Sequence, residues 1–457
     1  MELLVLNGSP KGKTSATMQY IHYIQKHFPD HNLNIVNISQ PIKKIENNPE
    51  AFKKIIDAVR SCDAVVWAFP VYYMLVPGNY KRFIELIWER RVEDVFRDKP
   101  AVIIATSIKY MDHAAYYYMQ AICEDLGMIF MGQYTPSMYE LEKENGQKQA
   151  LIFAKNLFQD LENMTGMPRH YPPVVPRDFI YSPGPAQGKL DPKGKRVLII
   201  TDQQEGQSNL TGMVERFQAS FSQKVEVVNL HEVETKGSCL GCVKCCYDHT
   251  CVYKDEYINF MHEKVLRADI MIWAGAIKDR FLSSKWKIFL DRSFCNGHTP
   301  WMSGKQIGFI ISGPLSQIPN IREVFEVFLE LTDANICGFV TDEYGDSKDI
   351  DALLDDMAGR MMRYAEQDYI RPITFLGYGS NLVLREMFWG RFRFPFIADW
   401  QQNYSRLDEY KFPHSYYKTR VTNTIMMQMA RFPKFKKHVT NNLKDELIKP
   451  LVKVVQG

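Results

Sequence analysis

Two stretches of the chain resemble each other, and this internal repeat limits the folds that the chain can adopt. WAFPVYYMLVPGNYKRFIE, residues 67–85, aligns without a gap with WAGAIKDRFLSSKWKIFLD, residues 273–291. Trp, Lys, Phe and a final acid occupy the same places in both stretches. A second pair, residues 7–17 and 201–211, shares a glycine and a threonine. We therefore expect two copies of one fold in tandem.

Short apolar runs alternate with amphipathic stretches along both copies. Buried strands are predicted at residues 3–6, 33–36, 64–68, 101–105 and 128–131, and again at residues 196–201, 224–228, 270–274 and 306–311. Strands that alternate with helices form parallel sheets with helices on both faces. The pattern predicts an α/β fold with two tandem doubly wound parallel sheets.

The domain boundaries follow from a proline-rich break between the copies. Seven prolines fall between Pro168 and Pro192, and such a segment is stiff and cannot form a helix. We expect a first domain over residues 1–165, a linker over 166–194, a second domain over 195–370 and a mainly helical C-terminal extension over 371–457.

The C-terminal extension is basic, with 15 Lys and Arg against 6 Asp and Glu. It interleaves aromatic and basic residues in FWGRFRFPFIADW, residues 388–400, and in RFPKFKKH, residues 431–438. Such a mixture can bind nucleic acid or a membrane surface, or dock an acidic electron carrier. It is also typical of an extension whose aromatic side chains pack onto the body.

The loop after the first strand has the composition of a phosphate site. Gly-Ser-Pro-Lys-Gly-Lys-Thr-Ser, residues 8–15, places backbone amides, hydroxyls and ammonium groups before a helix, where anions bind. A capped strand-to-helix turn has a similar composition. In the second copy Asp202, Gln203 and Glu205 replace Gly8, Ser9 and Lys11. Because the carboxylates of Asp202 and Glu205 repel a phosphate, we expect the second loop to bind no phosphate.

The loop after the third strand should lie beside the first loop, where ligands bind in this architecture. The first loop contains Gly8-Ser9-Pro10-Lys11 with Ser15 and Thr17, and the loop after the third strand contains Pro70-Val71-Tyr72 with Pro77, Lys81, Phe83 and Glu85. Together the two loops resemble the NAD(P)H-dependent FMN reductases of the flavodoxin-like superfamily. The resemblance implies two flavodoxin-like domains and an FMN oxidoreductase that takes hydride from NAD(P)H. The acceptor is then a quinone-like molecule or a ferredoxin-like electron carrier.

The resemblance also implies which residues bind the cofactor. The FMN phosphate would be held by Ser9, Lys11, Ser15 and Thr17, and the isoalloxazine would be lined by Pro70, Val71, Tyr72 and Tyr73. A third segment, Thr106, Ser107 and Lys109, follows strand four but departs from the family's glycine-rich loop. Lys109 or His113 would supply positive charge near the flavin, and no residue need act as an acid or a base.

Five of the nine cysteines lie between Cys239 and Cys251, which favours a metal or redox site over a disulfide framework. The four predicted ligands are Cys239, Cys242, Cys245 and Cys251. Their compact spacing suits one [4Fe–4S] cluster and resembles the iron-sulfur flavoproteins of the same superfamily. Zinc, or thiols without metal, are the alternatives.

Lys278, Asp279 and Arg280 stand where a flavin-binding copy would have its aromatic pocket. Since family members pair as dimers, the second copy would cover the flavin of the first, unless these charges are only a degenerate surface. The competing class is a non-catalytic flavodoxin-like zinc-binding or redox-sensing module with a polyanion-binding tail. We expect a cytoplasmic protein without a transmembrane segment, whose assembly into a homo-oligomer the sequence leaves open.

Overall fold

Ten parallel strands form two sheets in the computed structural model, which describes residues 1–186, 188–390, 392–401, 417–429, 431–435 and 437–438. The strands of the first sheet are β1 (Glu2–Asn7), β2 (Asn32–Asn37), β3 (Ala64–Pro70), β4 (Pro100–Thr106) and β5 (Ile129–Tyr134). The strands of the second sheet are β6 (Val197–Thr201), β7 (Glu226–Asn229), β8 (Ile270–Ala276), β9 (Gln306–Ser312) and β10 (Asn335–Thr341). The strand orders are β2-β1-β3-β4-β5 and β7-β6-β8-β9-β10, so both sheets share one topology.

Helices connect the strands and cover both faces of each sheet. Those of the first half are α1 (Ala16–His27), α2 (Ile42–Asn47), α3 (Pro49–Ser61), α4 (Gly78–Glu89), α5 (His113–Asp125) and α6 (Glu144–Asn163). Those of the second half are α7 (Ser208–Ala219), α8 (Cys245–Asp248), α9 (Glu256–Phe260), α10 (Ser284–Arg292), α11 (Pro319–Leu331) and α12 (Ser347–Glu366). The predicted fold class, two tandem flavodoxin-like doubly wound sheets, is confirmed.

The cores explain why the strands were readable in the sequence. A parallel sheet is buried on both faces, so its central strands are almost continuously apolar. Every residue of β4 is buried, and so are all of β1 except Glu2 and all of β3 except Pro70. The fifth strand of the second sheet, β10, was not predicted. Its sequence, NICGFVT, is interrupted by Gly338 at φ +149°, and four of its residues are only partly buried.

The two domains lie in one compact unit, residues 1–403, and contact each other through equivalent helices. Helix α4 of the first domain packs against α10 of the second, and α5 packs against α11. Between α6 and β6 the described residues 164–186 and 188–196 form no helix, as expected of a proline-rich linker.

The C-terminal extension is helical, as predicted, with α13 (Phe375–Trp389), α14 (Ile397–Asp399) and α15 (Tyr417–Met429). Helix α13 packs on α11 and α14 packs on α8. Residues 404–457 form a second unit, to which α15 belongs. No helix within the described residues is long and apolar enough to span a membrane.

Candidate functional site

The first loop joins β1 to α1 at the carboxyl edge of the first sheet. Ser9 is buried, and its amide donates to the Asn7 side chain at 3.0 Å. Ser15 caps α1 by accepting from the amide of Met18 at 3.2 Å. The ammonium-bearing side chain of Lys11 is exposed. Because a helix N terminus carries partial positive charge, this loop could hold an anion.

Glycine is needed where this loop passes the core. A Cβ on Gly8 would lie 2.6 Å from the ring of Tyr80, so the backbone rests directly on that aromatic side chain. Gly12 has φ +59°, a conformation that favours glycine. The loop therefore keeps its shape only with these two glycines.

The loop after β3 forms a tight turn that presents two aromatic rings. Tyr72 and Leu75 exchange backbone hydrogen bonds of 2.9 and 3.1 Å across Tyr73 and Met74. These two residues have φ values of +40° and +60°, a strained conformation that is concentrated at binding sites. The amide of Val71 donates to the carbonyl of Thr106, which ties this loop to the end of β4.

Thr106 is the point at which all three predicted flavin segments meet. Its hydroxyl lies 2.7 Å from the hydroxyl of Thr17 in α1, and its carbonyl accepts from Val71. The three loops thus converge at one edge of the sheet, as the topology requires. Buried hydroxyls, an exposed lysine and a helix N terminus suit a phosphate, and the neighbouring tyrosines suit a planar ring. The residues present therefore fit FMN.

The third segment is anchored by its own hydrogen bonds. The Ser107 hydroxyl donates to Asp112 at 2.5 Å, and the Lys109 ammonium donates to the carbonyl of Thr135 and lies 3.6 Å from Asp112. His113 pairs with Glu323 of the second domain at 2.9 Å, and this hydrogen bond raises the pKa of the imidazole. Both residues predicted to supply charge near the flavin therefore have partners in the protein.

The corresponding first loop of the second domain does not fit a phosphate. Asp202 is buried, and burial raises the pKa of its carboxyl to about 6. Glu205 is exposed on the same loop. At neutral pH both side chains oppose an anion.

The loop after β8 is not a degenerate surface, because it joins the two domains through ion pairs, and we call it the clasp. Its three charged residues each pair with an oppositely charged residue of the first domain: Lys278 with Glu89 at 2.8 Å, Asp279 with Lys81 at 2.8 Å and Arg280 with Asp125 at 2.6 Å. Where the first domain has an aromatic pocket, the second therefore has interdomain ion pairs. Sequence reasoning noticed the three charges but could not find their partners, which lie more than a hundred residues away.

The predicted cysteine ligands line one small cavity. It is formed by Cys239, Cys242, Cys245 and Cys251 together with Cys295, Leu240, Val243, Val252, Tyr253, Arg292 and Phe294. Burial raises the pKa of the Cys239 thiol to about 12. Cys295, which lies outside the predicted ligand set, also lines the cavity, whereas Cys246 does not. Thiols of this kind fit a soft metal, but within the described residues no three His, Cys, Asp or Glu side chains are placed to hold a metal ion.

The cysteine loop of the second domain lies directly on the predicted flavin loops of the first. A Cβ on Gly241, between the first two cysteines, would be 1.9 Å from the Tyr72 hydroxyl and 3.0 Å from Cε of Lys11. The ring of Tyr73 contacts the rings of Phe294 and Phe328 at 6.1 and 5.4 Å. The second domain thus covers the aromatic loop of the first.

Helix α14 of the C-terminal extension packs against α8, which belongs to the cysteine loop. Asp399 in α14 is buried and accepts a hydrogen bond of 2.5 Å from the backbone amide of His298. The two imidazoles nearest to it belong to His298 and His249, at 3.5 and 3.9 Å, and they lower the pKa of its carboxyl against the effect of burial. Phe388 and Phe396 are also buried. Two aromatic residues of this first basic motif therefore pack onto the body, whereas Phe394 is exposed.

Comparison with known proteins gives a match for the first domain. Residues 1–140 match the family of NADPH-dependent FMN reductases, which agrees with the enzyme class predicted from the sequence, an NAD(P)H-dependent FMN oxidoreductase. No curated protein matches the chain.

Three solved structures are similar to about a third of the chain. The NAD(P)H:(acceptor) oxidoreductase FerB from Paracoccus denitrificans is 17% identical, over 36% of this chain and 99% of its own, with a TM-score of 0.29. The NAD(P)H:quinone oxidoreductase from Methanothermobacter marburgensis is 12% identical, over 35% and 97%, with a TM-score of 0.28. The Trp repressor binding protein from Bacillus subtilis is 18% identical, over 33% and 95%, with a TM-score of 0.26.

Proposed function

We propose that the chain is a flavin-dependent oxidoreductase that binds one FMN in its first domain and uses NAD(P)H as the electron donor. The observation that carries the proposal is the convergence of the three loops at Thr106, which joins an anion-binding helix N terminus to two tyrosines. The family match over residues 1–140 supports the same assignment. When bound, FMN supplies the hydride chemistry, and the protein supplies binding and orientation.

The residues of the first domain would divide the work between the two ends of the cofactor. Ser9, Ser15, Thr17 and Lys11 hold the phosphate through hydroxyls, helix amides and one ammonium group. Pro70 to Tyr73 would line the ring, and the strained turn at Tyr73 and Met74 holds both tyrosines in place. Thr106, Ser107 and Lys109 close the remaining edge.

The second domain would serve this site without a flavin of its own. Its cysteine loop contacts Tyr72 and Lys11, so it excludes water from one side of the cofactor. Electrons leave to a quinone-like molecule or to a protein carrier. Cys239, Cys242, Cys245 and Cys251 would be the ligands of an iron-sulfur cluster, which would supply one-electron transfer; the described side chains are not arranged to hold one.

Reconstitution tests the proposal. Purified protein incubated with FMN and freed of excess should show flavin absorbance, and it should oxidise NADPH or NADH only when a quinone such as menadione is present. Absence of both signals, with protein shown to be folded by circular dichroism, would rule the oxidoreductase out.

The cysteine cavity favours one alternative strongly enough to test, a non-catalytic module that holds zinc. Five thiols line this cavity, and thiolates are ligands that zinc and iron share, although the described side chains are not placed to hold a metal ion. Anaerobic absorption spectroscopy with metal analysis separates the two: a brown preparation with iron and sulfide supports electron transfer, whereas a colourless one with stoichiometric zinc and no flavin supports the module. Metal-free protein that turns yellow on binding FMN leaves an oxidoreductase with unmetallated thiols.

A further inference from the structure

The second basic motif of the chain lies in a segment with an unusual charge. Residues 417–438, which we name the basic segment, contain six basic residues and no acidic residue. The basic residues are Lys418, Arg420, Arg431, Lys434, Lys436 and Lys437. Like charges at this density repel one another unless an anionic surface is present, so the segment is suited to a polyanionic partner.

The same segment exposes large apolar side chains. Those described as exposed are Val421, Ile425, Met426, Met427, Met429 and Phe432, with Met427 at 72% and Phe432 at 68%. Three of them, Val421, Ile425 and Met429, are spaced four residues apart in α15 and therefore share one face of the helix. Exposed apolar side chains in such a group mark an interaction surface.

We propose that the basic segment docks onto an anionic phospholipid surface. A helix with apolar residues on one side and cations at its ends lies in the plane of the lipid headgroups, where the apolar side chains enter the acyl boundary and the cations meet phosphates. Helix α15 has 13 residues, and no described helix is long and apolar enough to span a membrane. The geometry therefore points to a helix that lies on the membrane.

Lipid fits these side chains better than the other polyanions do. Single-stranded nucleic acid stacks its bases on aromatic rings, but the exposed apolar residues of α15 are aliphatic or thioether side chains. A second copy of the chain would bring the same positive charge against itself. An acidic protein would match the charges but would also need an apolar groove for this face, whereas a lipid surface supplies phosphates and acyl chains together.

Vesicle flotation of the full-length protein tests the proposal. We expect flotation with vesicles of phosphatidylcholine mixed with phosphatidylglycerol, little with phosphatidylcholine alone, and a loss of binding as salt is raised. Lys434→Glu with Lys437→Glu should weaken binding by roughly 50-fold or more, since four charge units are removed. Ile425→Ser with Met429→Ser, on the shared apolar face, should weaken it by about 10-fold or more at unchanged charge.

Matched variants in the first domain and the linker control for charge and exposure. Lys44→Glu with Lys148→Glu changes exposed lysines elsewhere, and Ile152→Ser with Ile180→Ser removes exposed isoleucines elsewhere. Both control pairs should bind anionic vesicles like the unchanged protein. Circular dichroism of every variant separates a binding defect from a folding defect.

Three results would overturn the proposal. The first is no flotation with anionic vesicles. The second is equal weakening of vesicle binding by the control pairs. The third is absence of lipid binding together with binding of single-stranded RNA, or self-association, that the Lys434 and Lys437 variant abolishes.

Discussion

Glu85 and Asp291 hold reciprocal positions at the contact between the two domains. The Glu85 carboxylate accepts hydrogen bonds from the backbone amide and the hydroxyl of Ser284, the first residue of α10. The Asp291 carboxylate accepts one of 2.7 Å from the amide of Gly78, the first residue of α4. Each acid thus caps the N terminus of a helix in the other domain, where the helix dipole favours a negative charge.

The first prediction concerns the stability that this contact provides. Asp291→Ala removes the cap of α4 and the partner of Lys287, whose side chain is fully buried in the ion pair. Because a buried lysine would be left without its carboxylate, we expect the free energy of unfolding to fall by about 3–5 kcal/mol. Urea denaturation followed by circular dichroism measures the change.

The control for Asp291 is an acid whose ion pairs are exposed. Asp57 pairs with Lys53 and Arg60 on the surface of α3. Asp57→Ala should cost less than about 1 kcal/mol. If both variants lose the same small amount, the reciprocal caps do not stabilise the interface.

The second prediction concerns the clasp formed by the loop after β8. Arg280 is almost fully buried and reaches both carboxylate oxygens of Asp125 at 2.6 Å. Arg169 contacts the same Asp125 but has 44% of its side chain exposed. We expect Arg280→Ala to lower the free energy of unfolding by about 2 kcal/mol or more, and Arg169→Ala by less than about 1 kcal/mol. Equal effects in urea denaturation would show that the clasp does not hold the domains together.

The repeated frame of the sequence has a reason that the repeat alone could not reveal. Lys81 and Lys287, like Glu85 and Asp291, occupy equivalent places. Each lysine pairs with the acid four residues later on its own helix, and these two helices, α4 and α10, pack against each other. The periodicity of apolar residues predicts buried strands because burial is a local property of a parallel sheet. Pairing across the domains is not local, so it could not be predicted.

The same distinction between local and long-range contacts explains which parts of the candidate site could be predicted. The three flavin segments could be placed together because parallel strands end at one edge of a sheet. The contact of Gly241 with Tyr72, the inclusion of Cys295 in the cysteine cavity and the position of Asp399 join residues far apart in the chain. No spacing or composition in the sequence indicates such contacts.

The third prediction tests the contact between the cysteine loop and the aromatic loop. Gly241 and Gly304 both have positive φ values, +61° and +75°, but only Gly241 faces a neighbour, Tyr72, whereas Gly304 faces open space. Gly304→Ala should therefore cost about 1 kcal/mol for backbone strain alone. Gly241→Ala should cost about 3 kcal/mol or more, because the methyl group also overlaps the tyrosine hydroxyl.

Two measurements check the Gly241 variant. Urea denaturation gives the free energy of unfolding, and the rate of reaction with Ellman's reagent reports whether the cysteine loop has moved away from the first domain. Faster thiol modification is expected in Gly241→Ala and not in Gly304→Ala. Equal rates and equal stabilities would contradict the close contact.

The fourth prediction is a pH dependence that arises from Asp202. Burial raises the pKa of this carboxyl from 3.8 to about 6, so the folded protein binds a proton that the unfolded chain releases. The associated stability is fully present below pH 3.8 and is lost as the pH rises through about 6. Asp202→Asn keeps the shape without the charge, and it should raise the free energy of unfolding at pH 7 by up to about 3 kcal/mol.

The measurement for Asp202 is the difference in stability between the variant and the unchanged protein at several pH values. The difference should shrink between pH 7 and pH 4, because the native carboxyl becomes protonated in that interval. Glu205→Gln, on the exposed part of the same loop, is the control and should show no such trend. A difference that stays constant with pH would show that Asp202 is not responsible.

The last prediction is the asymmetry of the two domains, which rests on the proposed FMN site. Ser9→Asp with Lys11→Glu gives the first loop two carboxylates, as the second loop has, and should abolish FMN binding, because a phosphate dianion is repelled by both. Lys44→Glu with Ser61→Asp makes the same chemical changes on the exposed surface and should leave binding intact. The bound FMN is measured by absorbance after gel filtration, and we expect one FMN per chain in the unchanged protein.

The reverse exchange tests whether the second loop can be converted into an FMN site. Asp202→Gly with Glu205→Lys removes the repulsion from the second loop, yet it should not create a second site. The loop after β8 would still lack counterparts of Pro70 and Tyr72, and its Asp279 would still be paired with Lys81 of the first domain. Two FMN per chain in this variant or in the unchanged protein would disprove the asymmetry, as would one FMN that survives the charge reversal at Ser9 and Lys11.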